Sequence, residues 1–143
     1  DGIRERDEAP LLDRNFFRCE VQPVLAARCA FMACHGNDER LFQVFAEQRY
    51  RQEVDWDEFE TPLQDSELDA SFRHASGLVY PDNLLAEKAL DTEAGGLFHR
   101  GKDLFGATDV FTRRADPGFQ ILLAFGAGQQ AADDCVPTEE VGP

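Results

Sequence analysis

Apolar positions recur at helical spacing in separate stretches of this chain, divided by polar or glycine-punctuated sequence. From Asn15 to Arg28, residues Phe16, Phe17, Val21, Val24 and Leu25 form an apolar stripe along one predicted helix. Pro23 falls inside it, so the helix either kinks there or starts there, with Gln22 just outside. Thr61-Pro62 signals another start and predicts a helix from about Leu63 or Asp65 to Gly77, with Leu68, Phe72 and Ala75 on one face. After the turn at Pro81-Asp82-Asn83, a short helix is expected over Asn83 to Leu90. Asp116-Pro117 opens the last helix, through Phe119, Leu122, Leu123 and Phe125, with its stop at Gly126 or Gly128.

The intervening sequence carries weaker signals. Leu41 to Arg51 alternates poorly and reads as short strands or an extended loop. Gly95-Gly96, Gly101 and Gly106 mark an irregular loop, while residues 1–13 are charged and aperiodic and the tail from Ala131 is polar. The expected organisation is an extended arm (1–13), one domain (14–130) and a polar tail (131–143). The expected fold class is mainly α, with about 3–5 helices joined by long loops.

Cys29-Ala-Phe-Met-Ala-Cys34-His35-Gly36 changes this picture. Two cysteines followed at once by histidine is the arrangement that attaches c-type haem: each thiol adds to a vinyl group, and the histidine ligates the iron. The usual spacing is Cys-x-x-Cys-His, and here four residues separate the cysteines, a variant of that pattern. The alternatives are a zinc site, a redox dithiol and a Cys29–Cys34 disulfide beside an incidental histidine. Zinc needs about four ligands, and His74, His99, Cys19 and Cys135 are scattered singly. A dithiol favours Cys-x-x-Cys in a βαβ setting, which this chain lacks. The 12 Phe, against one Trp and two Tyr, would suit packing on a flat porphyrin.

The wider stretch Val21-Gln22-Pro23-Val24-Leu25 through Arg28-Cys29 to Cys34-His35-Gly36 resembles the c-type cytochrome domains of planctomycete and myxobacterial secreted proteins. The resemblance continues through Asn83-Leu84-Leu85-Ala86-Glu87-Lys88-Ala89-Leu90, Gly95-Gly96-Leu97-Phe98-His99 and Asp116-Pro117-Gly118-Phe119-Gln120. It covers most of residues 16–128, with a gap over 37–80. Ala124-Phe125-Gly126 departs from the family's usual aromatic-Ile-x-x-Gly ending. The resemblance implies a small cytochrome c-like fold wrapped on one covalently bound haem c and a role in electron transfer.

On that reading Cys29 and Cys34 anchor the haem, and His35 is the first axial ligand. Met32, the chain's one methionine, lies between the cysteines on the His35 side and cannot reach the far face. His99 matches the histidine of the family's Gly-Gly-x-x-His pattern and is the expected second ligand. His74 falls on the polar side of its helix and reads as a surface residue. Lys88, Lys102, a neighbouring chain or an open position are the alternatives. Two imidazoles favour ferric iron more than a His/Met pair does, so a low-spin, low-potential centre follows. Arg100, Lys102, Arg113 and Arg114 are candidate partners for haem propionates, or ordinary surface cations.

Charge narrows the partners. A net charge of -14 and a pI near 4.4 argue against nucleic acid, whose phosphates need clustered cations, and against adsorption to anionic lipid. The run Glu53 to Asp69 carries eight acidic residues and no Lys or Arg, a solvated face, a docking surface for a basic redox partner or a site for a cation. No stretch approaches the ~20 apolar residues of a membrane span. Cys19 and Cys135 are left over and are expected to pair in an oxidising compartment, a bridge contributing about 4 to 5 kcal/mol in the chain-entropy model. The start at Asp1 suggests a trimmed chain whose leader has gone, placing it in the periplasm or outside the cell. The leading expectation is a one-electron carrier that is not an enzyme, serving a redox protein or neighbouring copies. The competing class is a haem enzyme, peroxidase-like or gas-sensing, with an open sixth position; a third is a haem subunit of a larger assembly or filament.

Overall fold

The computed structural model describes residues 11–31, 34–52, 54–97 and 110–131. Regular structure among them is helical, with isolated bridges at Ala46–Tyr50 and Leu90–Phe111 and no strand. This agrees with the mainly α expectation. The first helical stretch begins with α1 (Arg14–Phe16) and continues through a π-helical turn (Phe17–Val21) into α2 (Gln22–Arg28). The π turn is the physical answer to Pro23. A proline inside an α-helix lacks the donor N–H, and its ring meets the carbonyl four residues back. Here Gln22 N–H reaches Phe17 O, five residues back, so the widened turn relieves the ladder just before the proline. Gln22 is therefore inside the helix and buried, not outside it, and its Nε2 donates to Phe45 O at 2.7 Å.

Phe16, Phe17, Val21 and Leu25 are buried as the stripe predicts. They meet α5 (Pro117–Gly126), whose Phe119, Leu122 and Phe125 are fully enclosed. Phe17 packs edge-on against Phe72 at 5.4 Å between centroids and tilted against Phe125 at 5.5 Å. Asp13 joins the two ends of the described domain: its Oδ2 accepts from Phe16 N–H at 2.7 Å, capping α1, and from Ala131 N–H at 3.0 Å. The expected helix over Asn83 to Leu90 is shorter, α4 (Leu84–Glu87). Asn83 Oδ1 caps it, and Asn83 Nδ2 donates to Leu122 O at 2.9 Å, pinning it to α5. Beyond α4, Phe111 N–H donates to Ala89 O and Asp91 N–H to Phe111 O, bringing the far side of the glycine-rich loop back to α4.

α3 (Asp65–Ser76) starts where expected, capped by Gln64 and Glu67 in a capping box. Its buried surface includes the apolar face the sequence suggested, with Ala75 fully enclosed and Phe72 packed on Phe17 and Phe125, and extends beyond it. Glu67 and Ser71 have no exposed surface, and His74 is half-buried. At spacings of four and three residues these side chains share one helix face. Each accepts a backbone N–H from the loop that follows the cysteine motif: Gln52 to Glu67 Oε2 at 2.6 Å, Phe45 to Ser71 Oγ at 2.9 Å, and Gln43 to His74 Nδ1 at 3.1 Å. The 41–51 segment is thus a loop, with the N–H groups of Gln43 and Phe45 satisfied by helix side chains and those of Val44, Ala46 and Gln48 by backbone carbonyls. Two expectations are corrected: Glu67 is no part of a solvated acidic face, and His74 is no free surface histidine.

Arg51 completes the arrangement. Its Nε and Nη2 form a bidentate pair with Glu67 at 2.9 Å each, and its Nη1 donates to the carbonyls of Phe59 and Thr61. Burial works to raise the Glu67 pKa, but hydrogen bonds from Arg51 and from the N–H groups of Gln64 and Gln52 outweigh it and hold the carboxyl below its ordinary value. Removing one partner strands the other charge, so Arg51→Ala should cost about 3–5 kcal/mol in urea unfolding. Because the folded pKa of Glu67 is depressed, its contribution is complete above the unfolded value near 4.5 and lost as pH falls through the folded one. The wild-type loss of stability below pH ~4.5 should accordingly be shallower in Glu67→Gln.

Cys19 is fully buried within the π turn and is disulfide-bonded. Cys135, its expected partner, lies outside the described residues. Cys19→Ala should lower stability by about 2–5 kcal/mol in the same assay, and reduction of the wild type should bring it to a similar level.

Candidate functional site

The cysteine motif begins where α2 stops. Cys29 caps the helix, with its N–H on Leu25 O at 2.7 Å. The chain then folds back on itself: Cys34 N–H donates to Phe31 O at 2.8 Å, His35 N–H to Cys29 O at 3.0 Å, and Gly36 N–H to Phe31 O at 2.9 Å. This closure demands glycine after the histidine. A Cβ on Gly36 would lie 2.0 Å from Ala30 O, inside any tolerable contact. Arg49 braces the loop from outside, its guanidinium 4.5 Å from the Phe31 ring centroid and bonded to Ala26 O. Gly96 has a comparable role opposite, since a Cβ there would lie 2.1 Å from Leu90 O.

The turn brings Cys29, Cys34 and His35 to one cavity of about 330 Å³. Phe42, Leu78, Leu84, Leu85, Ala89 and Val110 supply its apolar walls, and Arg28 and Lys88 its cations. An apolar cleft with a few convergent polar groups is the usual form of a cofactor site. His35 Nδ1 lies 2.8 Å from Phe42 O, and because a carbonyl can only accept, Nδ1 carries the proton and the lone pair sits on Nε2. The Phe42 ring lies against the imidazole at 4.7 Å between centroids and helps fix its plane. Arg28 Nη1 donates to Val110 O at 2.9 Å, and Nη2 lies 3.3 Å from both Asp116 oxygens, so the end of α2 is tied to the start of α5 across the cavity's edge.

Cys29 and Cys34 are free thiols, so the motif is not closed by a disulfide between them. Burial pushes the Cys29 pKa up to about 12, with Cys34 adding to the rise and Arg28 opposing it. A thiol held protonated at neutral pH is a poor attacking group, which argues against a redox dithiol. Among the described residues, the one cluster of three or more possible metal-binding His, Cys, Asp or Glu side chains is Asp55, Asp57 and Glu58, all exposed, so the zinc alternative gains no second set of ligands at the motif.

Several site expectations change. Among the described phenylalanines, Phe42 lines the cavity, while Phe17, Phe72 and Phe125 pack together, as do Phe111 and Phe119. Arg114 is not at the cavity but engaged with Glu87 at 2.9 Å and Ala94 O at 3.1 Å. Arg113 is not among the lining residues either; Arg28 and Lys88 take that place. Met32, the expected second ligand His99, Arg100 and Lys102 lie outside the described residues. Sequence reasoning missed the paired leucines of α4 as cavity wall, although the i, i+1, i+4, i+5 pattern of Leu84, Leu85, Lys88 and Ala89 marks one helix face.

Comparison with protein-family models, curated proteins and solved structures gives no match to this chain.

The protonated thiol gives a direct check on the site's polarity. At pH 8, iodoacetamide should alkylate Cys29 more than about a hundredfold slower than a solvent-exposed thiol of ordinary pKa, by peptide mass mapping over time. Equal rates would mean that the Cys29 environment is not apolar.

Proposed function

We propose that this chain is a single-haem c-type cytochrome that works outside the cytoplasm and passes one electron at a time to a protein partner or to neighbouring copies. The observation that carries the reading is the convergence of Cys29, Cys34 and His35 on one apolar cavity, with both thiols free and the imidazole set by its Nδ1 bond to Phe42 O. The four-residue spacing does not keep the thiols apart, because the backbone bonds among Cys29, Phe31, Cys34 and His35 turn them to the same side. The aliphatic wall suits the flat hydrocarbon face of a porphyrin, and Arg28 and Lys88 suit its propionates.

Haem, when bound, supplies a one-electron iron couple within reach of the surface. Cys29 and Cys34 would hold it by thioether bonds, and His35 would ligate its iron through Nε2. Phe42 O keeps the His35 proton on Nδ1 and so keeps the ligating nitrogen basic. Leu78, Leu84, Leu85 and Val110 exclude water from the walls and favour the less charged state of whatever they enclose. His99 would be the second residue to hold the iron, and with two imidazoles the group would supply electron transfer rather than substrate binding. The disulfide at Cys19 fits an oxidising compartment.

Haem staining of a denaturing gel tests the covalent bond: the stain should stay with the chain in wild type and be lost in a Cys29→Ser, Cys34→Ser double variant. Visible spectra then test the ligands. The reduced wild type should be low-spin and indifferent to carbon monoxide, and His99→Ala should become high-spin and bind it. Ready carbon monoxide binding by the wild type would favour the open-site enzyme or sensor instead, and haem extractable into acidified organic solvent would defeat the cytochrome reading outright.

A further inference from the structure

The peptide group between Phe42 and Gln43 is gripped by an imidazole at each end. Its carbonyl accepts from His35 Nδ1 at 2.8 Å, and its N–H donates to His74 Nδ1 at 3.1 Å. The two histidines do not line the same space. His74 faces a neighbouring cleft of about 440 Å³ with Leu41, Arg73 and Gly77, and this cleft shares Phe42 and Leu78 with the cavity of the cysteine motif. The Phe42–Gln43 peptide is thus a hydrogen-bonded link between His74 and His35.

The geometry points to His74 as a positioning residue for His35: by accepting the Gln43 N–H it polarises and fixes the carbonyl that holds the His35 ring. The inference rests on the cytochrome reading above, since its consequence is for an iron ligand. Amide resonance couples the two ends of a peptide group, so an N–H engaged by a good acceptor puts more negative charge on the carbonyl oxygen. Hydrogen bonds in such a chain strengthen one another. A stronger acceptor at His35 Nδ1 draws that proton outward and makes Nε2 a better donor to a metal, the known effect of partners behind a ligating histidine. Richer donation favours the ferric state and lowers the potential.

The placement of His74 supports this. It is the last of three acceptors on one face of α3, after Glu67 and Ser71, whose bonds to the N–H groups of Gln52 and Phe45 fix the loop on the C-terminal side of the peptide. Next to the peptide, on that same side, Val44 N–H donates to His35 O at 2.9 Å, tying the loop directly back to the motif. These bonds fix the path of the loop that carries the Phe42 carbonyl, and His74 is the group that also acts on its electrons.

The test uses the haem-loaded protein poised at the wild-type midpoint potential. His74→Phe keeps a flat ring but no acceptor; its ferric-to-ferrous ratio should fall about threefold, a rise in potential of about 28 mV at 59 mV per tenfold for one electron. His74→Gln, whose amide oxygen can take the Gln43 N–H, should stay close to wild type. Gln43→Pro, which deletes the donor and leaves His74 in place, should shift in the same direction as His74→Phe. An unchanged ratio in His74→Phe and Gln43→Pro, or an equal shift in His74→Gln, would overturn the inference while leaving the cytochrome reading intact. Absence of covalently bound haem from the wild type would overturn both, and the haem stain separates that case before any potential is measured.

Discussion

The loop after the cysteine motif has no helix or strand of its own, and much of what holds it is the polar face of α3. Three side chains at helical spacing, Glu67, Ser71 and His74, accept the N–H groups of Gln52, Phe45 and Gln43 in reverse order along the loop. They do for this segment what a neighbouring strand would do in a sheet. Buried backbone donors must find acceptors, so the loop's path follows from where α3 offers them. The Arg51–Glu67 pair anchors the far end. Such a pair gains little over apolar packing, yet it is costly to break and has few alternative geometries, which gives the loop a single register on the helix. That register sets the Phe42 carbonyl, and the carbonyl sets His35.

The remaining walls of the site depend on ties between parts of the chain distant in sequence. Asp13 caps α1 and also holds Ala131, so the start and end of the described domain close on each other. Asn83 caps α4 and holds Leu122, which places Leu84 and Leu85 over the cavity by way of α5. Arg28 bonds Val110 and Asp116 at the cavity's edge. Each tie is one side chain satisfying two obligations, a cap or cation at one end and a carbonyl, carboxylate or N–H at the other. A chain of this length with long loops has few repeated hydrogen bonds to spend, and it meets the shortage with side chains.

Local signals in the sequence recovered the helix starts well. Asp116-Pro117 opens α5, α3 begins at Asp65, and the stripe from Phe16 to Leu25 is buried. The cysteine motif located the cavity. What the sequence did not convey were features that depend on a distant partner. Glu67 looks like one of eight acidic residues in a run, and only Arg51, folded back from the preceding loop, makes it a buried group. His74 looks polar and exposed until Gln43 N–H reaches it. Pro23 signalled a break, but whether the helix would stop or widen was not legible from the proline alone; the π turn carries the helix through, with Phe17 at its start packed on Phe125 of α5. The phenylalanine count was uninformative for the same reason: among the described residues Phe17, Phe72 and Phe125 pack with one another in the core, and which ones reach the cavity depends on the tertiary fold.

The distribution of charge bears on what a haem here would do. The chain carries 28 acidic side chains against 14 Lys and Arg, and its propionates would add to that excess. Within the described cavity the cations are Arg28 and Lys88, and Arg28 is already shared with Asp116. A strongly negative surround stabilises the more positive, ferric iron, and so does an imidazole whose proton is drawn toward the Phe42 carbonyl. The apolar wall pulls the other way, since low polarity disfavours the extra charge of the oxidised centre. Field and ligand act together against burial alone, and both fall on the same side as a second imidazole would. On the proposed reading, the acidity of this chain is therefore more than a matter of solubility: it sets the centre toward low potential, and it leaves a basic protein as the partner best matched to the surface around it.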